Sequence, residues 1–288
     1  MIYNLENFRT LFSSSLSQLY DTQEIRAILY AYFSRKFAIP SYEFSLNPQK
    51  SLPKEDGEAV ESDLRRLERG EPLQYVLGNA EFYGLPMNVS PKVLIPRPET
   101  EELVEKILDF CQDSSKKYQI LDFCTGSGAI AIALAHFLPF ASVTATDYEE
   151  EILRLAAQNA KQNAVNVQWF RHDVLKDSSE ILGGPYDVVV SNPPYIPLSV
   201  RATLHRNVAD YEPAAALFVP DDDPLLFYRH IARLSSEILR PGGRLFFETF
   251  ENFHDELESM LRSFPFKDIQ KVNDINQKPR FIICTKTT

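Results

Sequence analysis

The sequence predicts an α/β fold: a doubly wound, mainly parallel sheet that follows a small helical bundle. Three observations lead there. Residues 1–75 carry apolar residues at helical spacing and no strand-like run. From Tyr118 onward, short apolar runs alternate with helical ones, the pattern of strands joined by crossover helices. A glycine turn, Gly126-Ser127-Gly128, lies between the first such strand and its helix.

In the first region, Leu5, Phe8, Leu11, Phe12, Leu16 and Leu19 share one face of a helix over Asn4–Leu19. Ile25, Ile28, Leu29, Tyr32 and Phe33 do the same over Glu24–Phe37, and Pro40 closes that segment. A third helix is expected over Glu55–Arg69 with Gly70 as its C-terminal cap. Residues 76–95 change character. Gly78, Gly84 and Pro86 punctuate short runs, which reads as a β-hairpin linker. Pro96-Arg97-Pro98-Glu99-Thr100-Glu101 then opens a helix to about Cys111, proline and early acids suiting a helix N-terminus. The domain boundaries expected are 1–75, a linker at 76–95, and 96–288.

The alternating region reads as strand Gln119–Phe123, helix Ala129–Leu138, strand Ser142–Thr146, helix Glu149–Gln162, and strands Val167–Arg171 and Asp187–Ser191. A proline-containing loop runs to Asp223-Pro224, where an N-cap and a first-turn proline start a helix that Pro241-Gly242-Gly243 ends. Strand Arg244–Phe250, helix Phe253–Ser263 and strands Lys267–Val272 and Arg280–Lys286 complete the chain. The short turn at Gln277–Pro279 makes the last strand antiparallel to its predecessor.

Composition narrows the function. The 288 residues are 44% hydrophobic and 24% charged, ordinary for a globular chain, with net charge −10. Neither the first 75 residues nor the remainder has an excess of Lys and Arg, so a phosphate-gripping nucleic-acid surface is not expected. Cys111, Cys124 and Cys284 are odd in number and match no metal or redox spacing, and the five histidines form no helical pair. The N-terminus shows no signal pattern, and the most apolar run, Ala129 to Ala141, is too short to span a bilayer. A soluble cytoplasmic protein without metal, acting as a monomer, is the expectation.

Two constellations carry chemistry. In Leu121-Asp122-Phe123-Cys124-Thr125-Gly126-Ser127-Gly128, the glycines allow a tight turn and close ligand approach. The amides of the helix start that follows can bind a polar group. Gly126-x-Gly128-x-x-Ala131 also fits a dinucleotide fingerprint. Asp147, at the end of the next strand, is placed to accept both hydroxyls of a ribose, and can also cap its helix. Asp122 just before the turn would repel a pyrophosphate and attract a cationic cofactor, which favours S-adenosylmethionine over NAD. Asp173 and Val174, after the third strand, would flank an adenine ring.

The second constellation is Asn192-Pro193-Pro194-Tyr195, beyond the carboxyl end of an apolar strand, where open α/β sheets bind ligands. Two prolines stiffen the loop and remove donors. What remains are acceptors, the Asn192 side-chain oxygen and the Pro193 carbonyl, beside the flat face of Tyr195. That set suits a planar NH2 group, an amide or an exocyclic amine. Its two hydrogens would be held while positive charge develops on nitrogen during methyl transfer.

With Val93-Leu94-Ile95-Pro96-Arg97-Pro98-Glu99-Thr100-Glu101, Gly126-Ser127-Gly128, Asn192-Pro193-Pro194-Tyr195 and Tyr211-Glu212-Pro213 in view, the chain resembles the PrmC/HemK family, protein-(glutamine-N5) methyltransferases acting on class I peptide chain release factors. The resemblance implies a class I methyltransferase fold, Rossmann-like, with a mostly parallel seven-stranded sheet and an antiparallel last strand. It implies methylation of the glutamine in a Gly-Gly-Gln loop, with S-adenosylmethionine as donor and the helical domain docking the protein substrate. By position, Cys124, Thr125, Gly126, Ser127 and Gly128 would line the cofactor, Asp147 take the ribose, Asp173 and Val174 lie by the adenine, and Asn192, Pro193, Pro194 and Tyr195 hold the glutamine. Cys124 stands where the family usually has glycine, and Val174 where a large aromatic is usual; both bear on cofactor affinity. A ribosomal-protein glutamine and, less favoured by the acidic charge, a nucleic-acid amino group are the alternative acceptors.

Overall fold

The computed structural model describes residues 3–113 and 115–288. Met1 and Ile2, part of the expected 1–75 domain and of the N-terminal segment without a signal pattern, lie outside the described residues. The chain divides into two compact units, residues 1–79 with His205–Tyr211, and residues 80–204 with 212–288.

The smaller unit is helical: α1 Leu5–Leu16, α2 Thr22–Phe37, α3 Glu43–Leu46, α4 Lys54–Glu68 and α5 Leu73–Leu77. Asn4 caps α1 by accepting from the Asn7 amide at 2.9 Å. The helix stops at Leu16, short of the expected Leu19, because Leu19 N–H turns to the Leu16 carbonyl, a tighter i→i−3 bond. Asp21 and Glu24 form a capping box on α2. Leu5, Phe8, Phe12 and Phe33, from the faces that the periodicity marked, are buried in one core with Val60 and Leu64 of α4. Short α3 and α5 hold too few residues to show a period, so sequence reading passed over them. Tyr20 and the Arg69 carbonyl accept hydrogen bonds from Asn207 (2.6 Å) and Tyr211 (2.8 Å), which fix the His205–Tyr211 segment to this unit.

The larger unit opens with hairpin β1 Asn79–Phe82 and β2 Leu85–Asn88, then α6 Pro98–Phe110. The hairpin is integral to this unit and no free linker. Phe82, Leu85 and Met87 are buried in its core, and Asn159 brackets Asn88 with two hydrogen bonds (2.7 and 3.0 Å). Alternation follows: β3 Gln119–Phe123, α7 Ala129–Phe137, β4 Ser142–Asp147, α8 Glu150–Gln162, β5 Gln168–Arg171 and β6 Tyr186–Ser191. The long loop holds structure that its prolines concealed: β7 Ile196–Pro197, α9 Arg206–Tyr211, α10 Ala214–Leu217 and β8 Phe218–Val219, with β7 and β8 paired in parallel. The chain ends with α11 Leu226–Ile238, β9 Leu239–Glu248, α12 His254–Leu261, β10 Phe266–Asn273 and β11 Pro279–Lys286.

Seven strands form one sheet in the order β10-β11-β9-β6-β3-β4-β5. The pairs β9–β6, β6–β3, β3–β4 and β4–β5 are parallel, while β11 runs antiparallel to both neighbours. Alternate strand residues enter opposite cores. Ile120, Val188, Val190 and Phe246 face α6 and α7; Leu121, Val189, Leu245 and Phe247 face α11 and α12. Two local expectations fail. Asp223 does not cap α11, which starts at Leu226; its carboxylate instead chelates Arg229 at 2.8 and 2.9 Å. Pro241-Gly242-Gly243 lies within β9, because the chain leaves α11 already extended at Leu239. Among the described residues, no helix is long and apolar enough to cross a membrane, and no cluster of His, Cys, Asp or Glu could hold a metal ion.

Candidate active site

In this strand order the chain reverses direction of travel across the sheet at β3, between β4 and β6, and the crevice beyond the carboxyl ends there is the ligand position of open α/β sheets. A cavity occupies it. Cys124, Thr125, Gly126 and Ser127 from the β3–α7 turn border it, with Asp147 at the end of β4, His172, Asp173 and Val174 after β5, and Asn192 and Pro194 after β6. Pro96, Arg97, Thr100, Pro213 and Phe227 are also part of the wall.

The turn is held from below. Thr125 N–H bonds the Thr146 carbonyl at 3.0 Å, and Gly126 N–H bonds Asp147 Oδ2 at 3.0 Å. Gly126 has φ 55°, and a Cβ built on it meets nothing within 4 Å, so its bare backbone fronts open space. Gly128 does different work, away from the cavity wall. A Cβ there would stand 3.0 Å from Ile132 and Trp169 and 3.1 Å from Ala156, so glycine lets the start of α7 pack closely. Cys124 adopts φ 59°, the left-handed conformation that costs a side chain about 1 kcal/mol. Burial, with Asp147 and Asp122 nearby, pushes its thiol well above the usual range, away from reactive thiolate.

Asp122 does not face the cavity. It is fully buried and accepts from Thr125 Oγ1 at 2.6 Å, so it braces its own turn rather than meeting a cofactor's charge. Burial, and Asp147 close by, push it up to about 7. Asp147 does border the cavity, only 6% exposed. Burial raises it to about 6, although the amides of Gly126, Tyr148 and Glu149 pull it back. Each oxygen accepts an amide, Oδ2 from Gly126 at 3.0 Å and Oδ1 from Tyr148 at 2.9 Å, and each keeps further acceptor capacity toward the cavity. Two vicinal hydroxyls would fill that capacity, and the residues present fit an adenosyl group on that ground.

Asp173 is already engaged. Burial pushes it up, but Lys176 (2.7 Å) and the Leu175 amide (3.1 Å) more than offset this and leave it below the usual carboxyl range. Val174 is both core and wall, 4% exposed.

Beyond β6, the Asn192 side chain donates from Nδ2 to Thr100 Oγ1 at 3.2 Å, and Thr100 donates to Glu248 Oε2 at 2.7 Å. Tyr195 donates to Glu248 Oε1 at 3.1 Å. Burial holds the Glu248 carboxyl above the usual range, although Thr100, Tyr195 and Arg280 pull it part of the way back. Pro193 and Tyr195 are not on the cavity wall. Tyr195 lies behind it, its ring 6.2 Å from Phe250 and its hydroxyl fixed on Glu248. The Pro96–Glu101 run serves twice: Pro98 opens α6, while Pro96, Arg97 and Thr100 wall the cavity. Glu212 of Tyr211-Glu212-Pro213 pairs with Arg97 and accepts from the Ile95 amide at 3.2 Å, clipping those two sequence-distant motifs together.

Glu248 was missed. Its signal was present, a lone acid in the apolar run Leu245-Phe246-Phe247-Glu248, and buried acids are retained with partners. Phe227 and Leu175 on the wall carry no sequence signal beyond apolarity.

The fold and the cavity define a class I methyltransferase domain, joined to a helical N-terminal unit. Family models agree: a methyltransferase small domain matches residues 101–209, and a PrmC N-terminal domain matches residues 12–78. A release factor glutamine methyltransferase from Bacteroides thetaiotaomicron is 38% identical over 94% of this chain and 96% of its own. Its counterpart from Flavobacterium psychrophilum is 38% identical over 96% and 98%. In fold, a methyltransferase from Pyrococcus furiosus matches with TM-score 0.52 at 19% identity, over 72% of this chain and 91% of its own. The chain belongs to the release factor glutamine methyltransferase family.

Proposed function

We propose that this protein transfers a methyl group from S-adenosylmethionine to the side-chain amide nitrogen of the glutamine in the Gly-Gly-Gln loop of class I peptide chain release factors, in the cytoplasm. The observation that carries this reading is that Asn192, oriented by its own hydrogen bond, borders the same cavity as the buried carboxylate of Asp147. Similarity to release factor glutamine methyltransferases along almost the whole chain supports the choice of substrate.

S-adenosylmethionine supplies a methyl group already activated on a sulfonium. Asp147 would accept the ribose hydroxyls, the Cys124–Ser127 turn would lie along the donor, and Val174 would pack on the adenine. An amide nitrogen is a poor nucleophile, its lone pair delocalised, so placement has to do most of the work. Asn192 Oδ1 would accept a hydrogen of the glutamine carboxamide, aiming the nitrogen and favouring the positive charge that builds on it. No strong base is required, because the nitrogen becomes acidic as that charge develops. The helical unit would serve to dock the protein substrate.

The test is incubation with isotope-labelled S-adenosylmethionine and a purified class I release factor, followed by peptide mass mapping. One methyl group on the glutamine of the Gly-Gly-Gln peptide is expected. An unlabelled release factor beside a labelled ribosomal protein or nucleic acid would overturn the assignment.

A further inference from the structure

We propose that Thr100 and Glu248 are positioning residues that fix which way the Asn192 amide faces, turning its oxygen toward the substrate before any substrate arrives. The inference rests on the reading of Asn192 as the holder of the substrate carboxamide. It assigns a task to the threonine of the Pro96–Glu101 run and to a buried acid that the chemistry above leaves unused.

The two ends of a carboxamide have nearly the same size and shape, so packing alone does not decide between them. Hydrogen-bond polarity does. Each oxygen of Glu248 faces a hydroxyl, Thr100 at 2.7 Å and Tyr195 at 3.1 Å. In its ionised form, with Arg280 close by, Glu248 only accepts, so both hydroxyls donate to it. Thr100 has one proton, and with it directed at Glu248 its oxygen faces Asn192 as an acceptor. Asn192 must then present Nδ2, as observed at 3.2 Å. Its oxygen, at the opposite corner of the planar amide, is left for the cavity that Asn192 lines. One buried charge thereby sets the polarity of a group two hydrogen bonds away. The same charge pins Tyr195, and the Tyr228 hydroxyl holds the Glu248 carbonyl at 3.0 Å, so the anchor itself is fixed. An amide facing the wrong way would offer a donor to a substrate NH2 that has only donors to give.

The test uses full-length enzyme with Thr100→Val, Thr100→Ser and Glu248→Gln. Thr100→Val keeps the shape and loses the relay; its kcat is expected to fall roughly tenfold to hundredfold, with the KM for donor little changed. Thr100→Ser restores the hydroxyl and should recover most of that loss. In Glu248→Gln the new amide donates as well as accepts, the polarity is no longer enforced, and kcat should again fall with KM preserved. Full turnover in Thr100→Val, or a Thr100→Ser as slow as Thr100→Val, would overturn the relay. A readout without substrate accompanies these: the nitrogen-15 side-chain amide resonance of Asn192, identified by its disappearance in Asn192→Ala. It should shift in Thr100→Val and stay near its wild-type position in Thr100→Ser; no shift in Thr100→Val refutes the proposal. If the resonance moves as expected but wild-type enzyme leaves release factors unmethylated, the relay stands and the substrate assignment falls.

Discussion

The two sides of the cavity are built on opposite plans. On the side of β3 and β4, the polar features are a turn with bare Gly126 facing open space, and Asp147 held up to about 6 by burial that its amides do not fully offset. On the side of β6, the Asn192 amide nitrogen, Thr100, Tyr195 and Glu248 are already joined by hydrogen bonds. The first side is completed by what binds; the second is complete beforehand. A cofactor that enters and leaves in each cycle suits a site that gains donors from it, whereas a weak nucleophile needs acceptors that do not reorganise. Damage to the first side should therefore appear in affinity, and damage to the second in turnover.

The largest expected effect breaks the second side. Asn192→Ala should fold and bind donor as wild type in calorimetry, yet lose more than about a hundredfold in kcat, roughly 3 kcal/mol of barrier. Turnover at the wild-type rate would show that the amide is not held there.

Breaking the first side should do the reverse. Asp147→Ala is expected to weaken donor binding by about tenfold or more, since two charge-assisted hydrogen bonds are lost, with less change in kcat at saturating donor. The pH dependence sharpens this. Asp147 accepts both hydroxyls fully only when ionised, so donor affinity should fall as pH drops below about 6, and Asp147→Asn should flatten that profile. An affinity in wild type that is level from pH 8 to pH 5 would remove Asp147 from the binding site.

A smaller effect concerns the brace behind the first side. Asp122 is raised from 3.8 to about 7 in the folded protein, so the folded state binds the extra proton between those values. Stability is then highest below the unfolded value and declines as pH rises through about 7. Asp122→Asn keeps an acceptor for Thr125 and removes the buried charge. It should raise the melting temperature, more at pH 8 than at pH 5; a lower melting temperature at pH 8 would mean that the charge itself holds the turn. Smallest of all, Cys124→Gly relieves the strained φ of 59° against the extra chain entropy of glycine, a net gain of about 0.5 kcal/mol, measurable by denaturant titration.

The contrast between the two sides also explains what sequence could show. The β3–α7 turn and Asp147 were legible because local geometry dictates residue type, glycine at a tight turn and an acid at a strand end. Asn192-Pro193-Pro194 was legible because the loop is stiff and short. The direction of Tyr195 was not legible, since its hydroxyl is held by Glu248, a partner 53 residues away. Asp122 was misjudged for the same reason: its proximity to the turn was evident, but that Thr125 would turn its carboxylate inward was not. The hairpin's attachment through Asn159, and the structure within the Pro197–Pro220 loop, depend on such distant contacts too. Periodic helices and alternating strands need no long-range partner to be read, and those were found.

One crystal structure tests the central claim most directly: the enzyme with S-adenosylhomocysteine and a class I release factor. The account predicts the ribose hydroxyls on Asp147 and the glutamine amide hydrogen-bonded to Asn192 Oδ1, its nitrogen pointing at the thioether sulfur through the space a methyl group would fill. A glutamine seated elsewhere, or an Asn192 whose nitrogen rather than oxygen faces it, would contradict the account.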